Sequence, residues 1–334
     1  ADALPHRTVT ALHEDAQGRM WVGTDGGGLS RAVVESAADS LRLRFRAFTG
    51  TAEEGNPGRN QVLDIAEDER GRLWLATFGG GVRCFDPEQG AFEAAFTAGA
   101  GAPLSDNHVM SVALDEHDNL WVGTKYGGLN YLETRTGRVR PVPLTVDGTD
   151  VAFVWRTRVF DGSMLWVGTY GRGAVRVEYD GASKGRPRIV ETDWYRHDAR
   201  DPFSLADDFV LAVFRDRTGV LWLGTDNNGV SLHPDRPYVR PAQGRLPGGR
   251  PAYRVRARAY AVDDAGRQWL GTHSGLFRRR TESAQYRSVA LPAAASFVHR
   301  MREDENGGLW LCTNAGLYRQ ESETDRRIDV YAQL

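Results

Sequence analysis

The chain alternates short runs of β-branched, aliphatic and aromatic residues with tight polar turns. Residues 209–230 set the pattern. FVLAVFR (209–215) is a β-branched and aromatic run read with a period of two, which predicts a strand. DRTG (216–219) predicts a turn, because Asp can bond its own backbone and Gly tolerates positive φ. VLWLGT (220–225) predicts the second strand and DNNG (226–229) the next turn. GVSLHP then starts a third strand, and PYVRPA (237–242) makes a weak fourth. Outer strands read more clearly at LRLRFRAF (41–48), AFEAAF (91–96) and RRIDVYAQL (326–334). Apolar stripes at helical spacing are absent.

This unit is written seven times. Aligned on Trp21, Trp74, Trp121, Trp166, Trp222, Trp269 and Trp310, the spacings are 53, 47, 45, 56, 47 and 41, the period of a four-stranded propeller blade. Three positions after each Trp stands Thr: Thr24, Thr77, Thr124, Thr169, Thr225, Thr272 and Thr313. Two after it the residue is always small: Gly23, Ala76, Gly123, Gly168, Gly224, Gly271 and Cys312. Six before it stands Asp in six units, with Phe160 then Asp161 in the fourth. Gly lies three before it in five units.

A lone four-stranded sheet of this size cannot bury both faces, whereas seven arranged radially pack face to face and leave only short edges. The fold expected is therefore all-β: a seven-bladed β-propeller with four antiparallel strands per blade. The Trp column should wedge between blades, and the Thr column should bond the adjacent turn. The single propeller spans 1–334, with blades at approximately 6–55, 56–103, 104–148, 149–205, 206–250, 251–293 and 294–334. The chain opens on an innermost strand (TVTALHE) and ends on an outermost one. Closure is thus expected by packing between the first and last blades, with no strand exchange between the termini.

Composition narrows the function classes. The net charge of −2 gives no global pull toward nucleic acid or a membrane surface. No apolar run approaches the roughly 18 residues of a membrane span. ADALPHRTV is polar and starts abruptly, as a mature protein or an excised domain would. Cys84 and Cys312 show no metal-ligand spacing and lie in non-adjacent blades, so both are expected free.

The unit V-x-x-x-x-x-D-x-x-G-x-L-W-x-G-T-x-x-G-G-L resembles the two-component regulator propeller repeat. DPFSLADDFVLAVFRDRTGVLWLGTDNNGV (201–230) and APLSDNHVMSVALDEHDNLWVGTKYGGLN (102–130) carry the resemblance best. Blade four departs at Phe160, and blades six and seven have a turn one residue shorter (HSGL, NAGL). The resemblance implies the extracytoplasmic, periplasmic sensor of a membrane-bound hybrid histidine kinase or diguanylate cyclase, often with two propellers in tandem. It also implies that the chain is part of a larger receptor. The spacing of six from Asp to Trp separates the repeat from sialidase boxes, where it is five, and Gly to Trp is three rather than the four of quinone-dependent dehydrogenases. No Trp-Asp dipeptide recurs at strand ends, as WD repeats would require.

Candidate chemistry belongs at a channel mouth, where loops converge. The loops leading into the inner strands supply Arg7, Asn60, Asn107, His108, Asp208 and Ser296. The loops joining second and third strands supply Asp25, Phe78, Lys125, Tyr126, Tyr170, Arg172, Asp226, Asn227, His273 and Asn314 at the same mouth. The inner strands break the repeat at FVWRTRV (153–159), YRVRARAY (253–260) and FVHRMRE (297–303). These bring Trp155, Arg156, Arg256, Arg258, His299 and Arg300 near the channel. Guanidiniums beside aromatics suit an anionic or sugar ligand through bidentate bonds and stacking. The bland alternative is that these arginines pair with nearby carboxylates and fill a hydrated channel. The ligand-binding set expected is Arg7, Asn60, Asn107, His108, Tyr126, Trp155, Arg156, Tyr170, Arg172, Asp208, Arg256, Arg258, His299 and Arg300.

No Gly-x-Ser-x-Gly elbow, His-Glu-x-x-His helix or phosphate-cradling Gly-Lys-Ser/Thr occurs, so no catalytic set, metal or other cofactor is expected. The partners expected are a small molecule or oligosaccharide and a second propeller or homodimer mate. Nucleic acid is not expected, and a membrane only through flanking segments. Two alternatives remain: a polysaccharide lyase or glycosidase using His108, Asp208 or Tyr170, and a protein-interaction scaffold with a broad apolar patch.

Overall fold

Seven four-stranded antiparallel sheets, each made of four strands consecutive in the chain, form the blades of a β-propeller. The structure, a computed structural model, describes residues 3–37, 40–48, 61–99, 102–180, 187–201, 204–216, 219–233, 240–241, 257–263, 265–280, 285–291, 297–304, 308–321 and 327–328, with Pro247 and Ala295. The inner strands are Val9–Glu14, Val62–Glu67, Val109–Leu114, Val154–Phe160, Val210–Arg215, Ala257–Val262 and Val298–Glu303. Neighbouring inner strands touch all the way round, including the last against the first. Second strands such as Leu73–Thr77 and Leu120–Thr124 are buried along their whole length. That is why they read as continuous apolar runs rather than alternating ones.

The wedge role of the Trp column is observed. Trp21 packs on Val62, Ile65 and Leu75 of blade two, and Trp74 on Val109, Val112 and Val122 of blade three. Trp121 meets Val154, Val167 and Tyr179 of blade four. The series continues to Trp310, which packs on Val9, Met20 and Val22 of blade one. Burying one such ring removes on the order of 200 Å² from water, about 5 kcal/mol of transfer free energy. The Thr column closes the following turn, as expected. Its hydroxyl donates to the carbonyl four residues on in blades one to five, for example Thr77 to Gly81 at 2.7 Å. In blades six and seven the shorter turn brings that carbonyl to three residues on, from Thr272 to Gly275 at 3.0 Å and Thr313 to Gly316 at 2.8 Å.

The Asp column does more than turn the chain. Asp15 Oδ1 accepts the Gln17 and Arg19 amides, and its Oδ2 accepts the Trp21 indole N–H at 2.7 Å. The same clamp recurs from Trp74 to Asp68, Trp222 to Asp216, Trp269 to Asp263 and Trp310 to Asp304, at 2.7–2.9 Å. A buried indole N–H needs an acceptor, and this Asp is the one that the turn holds in reach. In blade three Asp115 takes the Tyr131 hydroxyl at 2.6 Å. In blade four the displaced Asp161 turns outward to Arg215 of the next blade.

Closure follows the sequence expectation among the described residues. The outer strand Ser40–Phe48 stays in blade one and Arg327–Ile328 in blade seven, so no strand is exchanged. Blade five's outer strand is Arg240–Pro241; residues 237–239 and 242 of the expected run, and 326 and 329–334 of the last one, lie outside the described residues. Cys84 and Cys312 are buried and free, the first between blades two and three, the second between blades seven and one.

Candidate functional site

Every inner strand has the same irregularity. Its register against the second strand slips one residue after the first pair, between Val9 and Ala11 in blade one and at the matching place in all the others. The extra residues are Thr10, Leu63, Met110, Trp155, Leu211, Arg258 and His299. All seven line one cavity of about 110 Å³ on the channel, together with Arg156 and Arg300. A bulge re-aims its side chain, and seven bulges at one height turn seven side chains onto the axis. The ring is apolar on the side of blades two, three and five, and aromatic or cationic on the side of blades four, six and seven.

On the polar side the groups interlock. The Arg258 guanidinium lies 5.4 Å from the Trp155 ring centroid and 5.7 Å from that of Phe297, and reaches Asp226 Oδ1 at 3.3 Å. His299 lies edge-on to Phe297 at 3.9 Å. Its Nε2 is buried and meets no hydrogen-bond partner among the described residues. Burial first, then the charges of Arg258, Arg300 and His273, push the His299 pKa down to about 3. The imidazole is therefore neutral at pH 7 and can donate or accept at the cavity wall.

Below this ring lies the residue opposite the small column: Ala11, Asp64, Ser111, Arg156, Ala212, Ala259 and Arg300. Arg156 Nη1 binds Asp64 Oδ2 at 2.9 Å, and Arg300 Nη1 binds Asp64 Oδ1 at 2.9 Å. Arg158 Nη1 joins at 3.1 Å. Burial alone would raise the Asp64 pKa, but three guanidiniums hold it well below the carboxylate range. Asp64 is the residue that the sequence reading missed. It stands in a column otherwise small or cationic, and that break in the repeat was its signal.

The outer mouth carries aromatic pairs. Tyr170, 42% exposed, stacks on Phe153 at 4.9 Å and on Trp155 at 5.9 Å, with Phe209 edge-on at 4.6 Å. A second group stands over blades two and three: His108 between Phe78 and Tyr126, with Lys125 above both rings. His108 Nδ1 is held by Asp106 at 2.8 Å, and Tyr126 is 63% exposed. Burial would raise the Asp106 carboxyl, but bonds from His108 and the Tyr126 amide keep it low.

The expected residues therefore separate. Trp155, Arg156, Arg258, His299 and Arg300 share the channel cavity, with Tyr170 stacked above them. His108 and Tyr126 form the separate mouth group. Asn107 is engaged in loop structure, since its side chain bonds the Ala98 amide and its carbonyl takes the Gly79 and Gly81 amides. Asp208 is engaged likewise with the His197, Gly171 and Gly173 amides. Arg7 is exposed and Arg172 half-buried on the mouth loops. Asn60 and Arg256, and Ser296 of the same loop set, lie outside the described residues.

Comparison with known proteins bears on the repeat and the fold. The two component regulator propeller model matches residues 3–26, 57–79, 103–126 and 204–227. No curated protein matches the sequence. Among solved structures, the chain is similar to BT4673 of B. thetaiotaomicron, described as the extracellular domain of a hybrid two component system (TM-score 0.68, 17% identity, 94% of this chain and 38% of that one). It is similar to BT3049, of the same description and organism (TM-score 0.66, 16% identity, 93% and 39%). It is also similar to a catalytically inactive virginiamycin B lyase from Staphylococcus aureus with quinupristin (TM-score 0.67, 10% identity, 94% of each chain). The chain thus spans about two fifths of the extracellular-domain chains that it matches. At these identities the likeness is one of fold.

Proposed function

Starting from a propeller that carries two component regulator propeller repeats, we propose that this chain is the extracytoplasmic ligand-sensing module of a bacterial membrane-bound signalling receptor. It binds a small molecule or oligosaccharide at the loop mouth and relays this, through propeller packing or dimerisation, to a histidine kinase or diguanylate cyclase elsewhere in a longer chain. The observation that carries the reading is the bulge ring. Trp155, Arg258 and His299 break the repeat at the bulge position, whose side chains from all seven blades line one channel cavity, and they stand together in it. A scaffold has no use for a cation, a neutral imidazole and an aromatic face gathered at a narrow opening, whereas ligand sites combine these groups. The structural neighbours described as extracellular domains of hybrid two component systems agree with the setting.

The test is a thermal-shift screen of oligosaccharides and acidic metabolites, followed by calorimetry on each hit. A hit should bind wild type and lose affinity about tenfold or more in Trp155→Ala and in Arg258→Ala. A screen without hits, or hits indifferent to both substitutions, overturns the mouth site.

One observation favours a second reading, that of an enzyme. Asp106 holds His108 Nδ1 at the mouth with the ring beside Tyr126, an arrangement that could serve general acid–base chemistry on a polysaccharide. Turnover of a polysaccharide by the chain, abolished by His108→Ala, would replace the sensor reading.

A further inference from the structure

The far end of the channel holds a larger cavity, of about 480 Å³, between the inner strands of blades five, six and seven. Among the described residues that line it, six are arginine and one, Glu303, is acidic. Two of the six pair with aspartates, Arg215 with Asp161 and Arg258 with Asp226. The other four are Arg156, Arg158, Arg300 and Arg302. The first three converge on the single carboxylate of Asp64, whose side chain is 3% exposed. Arg302 reaches the Glu14 carbonyl at 3.4 Å.

Three guanidiniums around the one carboxylate of Asp64 make a cluster of net charge +2, with Arg156 and Arg300 largely buried and Arg158 half-buried. Like charges there repel strongly, and removing them from water is costly without counter-charge. Arg156 records this. Burial, with the neighbouring charges of Arg300 and Arg158 opposing the help of Asp64, pushes its pKa well below the ordinary guanidinium range. Glu14 and Glu67 act on Arg302, but Glu67 is already engaged by His13 and the Ala16 amide. The remaining wall is apolar, including Val213, Tyr260 and Met301, and the volume falls within the range of small-molecule sites. A compact ligand of high charge fits that space better than a polymer.

We propose that this cavity is an anion site, taking a small phosphate-bearing or polycarboxylate ligand between Arg156, Arg158, Arg300 and Arg302. It adjoins the bulge-ring cavity, with which it shares Arg156, Arg258 and Arg300, whereas Arg158 and Arg302 line this cavity and not the other, so substitutions there separate the two sites. Guanidinium forks supply paired donors to either kind of oxyanion. Asp64 acts as an internal competitor that holds the three arginines in place.

The test is calorimetric titration of the 334-residue chain with pyrophosphate and with citrate, at matched ionic strength. Saturable binding of one equivalent is expected, and the tighter of the two probes identifies the class. Arg158→Gln and Arg302→Gln should each weaken binding by about tenfold or more. Asp64→Asn should strengthen it by a similar factor, the opposite sign from simple damage to the fold. Flat titrations of wild type with both probes overturn the proposal, and so does binding that ignores Arg158→Gln and Arg302→Gln. The wild-type titration decides the matter even where a variant does not fold.

Discussion

At the scale of the residue, the Asp–Trp clamp and His299 give the sharpest expectations. Asp68→Ala strands the buried Trp74 indole N–H and removes the 2.7 Å pair between Asp68 and Arg72, leaving Arg72 with Glu93 at 3.8 Å. The cost should be about 1–3 kcal/mol, read from urea unfolding. Asp161→Ala, at the displaced position, should change stability little, since its partner Arg215 is reached at the surface. For His299 the sign follows from its depressed pKa. The folded state binds fewer protons than the unfolded one, whose imidazole titrates near 6.5. Its contribution is therefore complete above about pH 6.5 and is lost as pH falls toward about 3. His13, depressed by burial with Glu67 opposing, adds in the same direction. Asp15, Asp64 and Asp304 are depressed carboxylates, so their contribution fades only below about pH 4. Urea midpoints from pH 7 to pH 4.5 should decline in wild type and decline less in His299→Asn. Parallel curves would contradict this.

Among elements, the small column sets how closely blades approach. A Cβ on Gly168 would lie 2.8 Å from the Val210 carbonyl oxygen and 3.0 Å from Val210 Cγ1, both on the next blade's inner strand. Backbone cannot step aside as a long side chain can. Gly168→Ala should therefore cost about 1–3 kcal/mol although Ala suits a strand at least as well as Gly. Blade two accepts Ala76 in this column and blade seven Cys312, so Ala76→Gly should be far milder. Thermal unfolding of the two variants side by side checks the contrast. The strands themselves were legible because their periodicity is local. AFEAAF is a strand at the predicted residues, Ala91–Phe96, and LRLRFRAF falls within Ser40–Phe48.

For the whole molecule, the ring has one seam without a chain crossing it. Six blade junctions are both packed and covalently continuous, whereas blade seven meets blade one only through contacts such as Trp310 on Val9 and Met20. Local opening should concentrate there. Hydrogen exchange in Val9–Glu14 and Gly308–Thr313 should be faster than in Val109–Leu114 and Leu120–Thr124. Equal protection at both junctions would mean that closure is as strong as chain continuity.

The sequence by itself determined the blade count, the strand order, the Trp wedge, the Thr turn and closure without an exchanged strand. The strand order, the Trp wedge and the Thr turn recur seven times in a fixed register, so the pattern outvotes local irregularity. It also pointed to Trp155, Arg156, Arg258, His299 and Arg300 as the places where the repeat breaks. What it could not decide was which side chains meet across the channel. Asp64 lies 92 residues from Arg156 and 236 from Arg300, yet one carboxylate joins them. Nor could it separate loop-bound Asn107 and Asp208 from the open His108 and Tyr126, since all four read as mouth polar or aromatic residues. Contacts of that kind arise only when the ring closes and seven distant strands are brought to one axis. Periodicity carries no information about them.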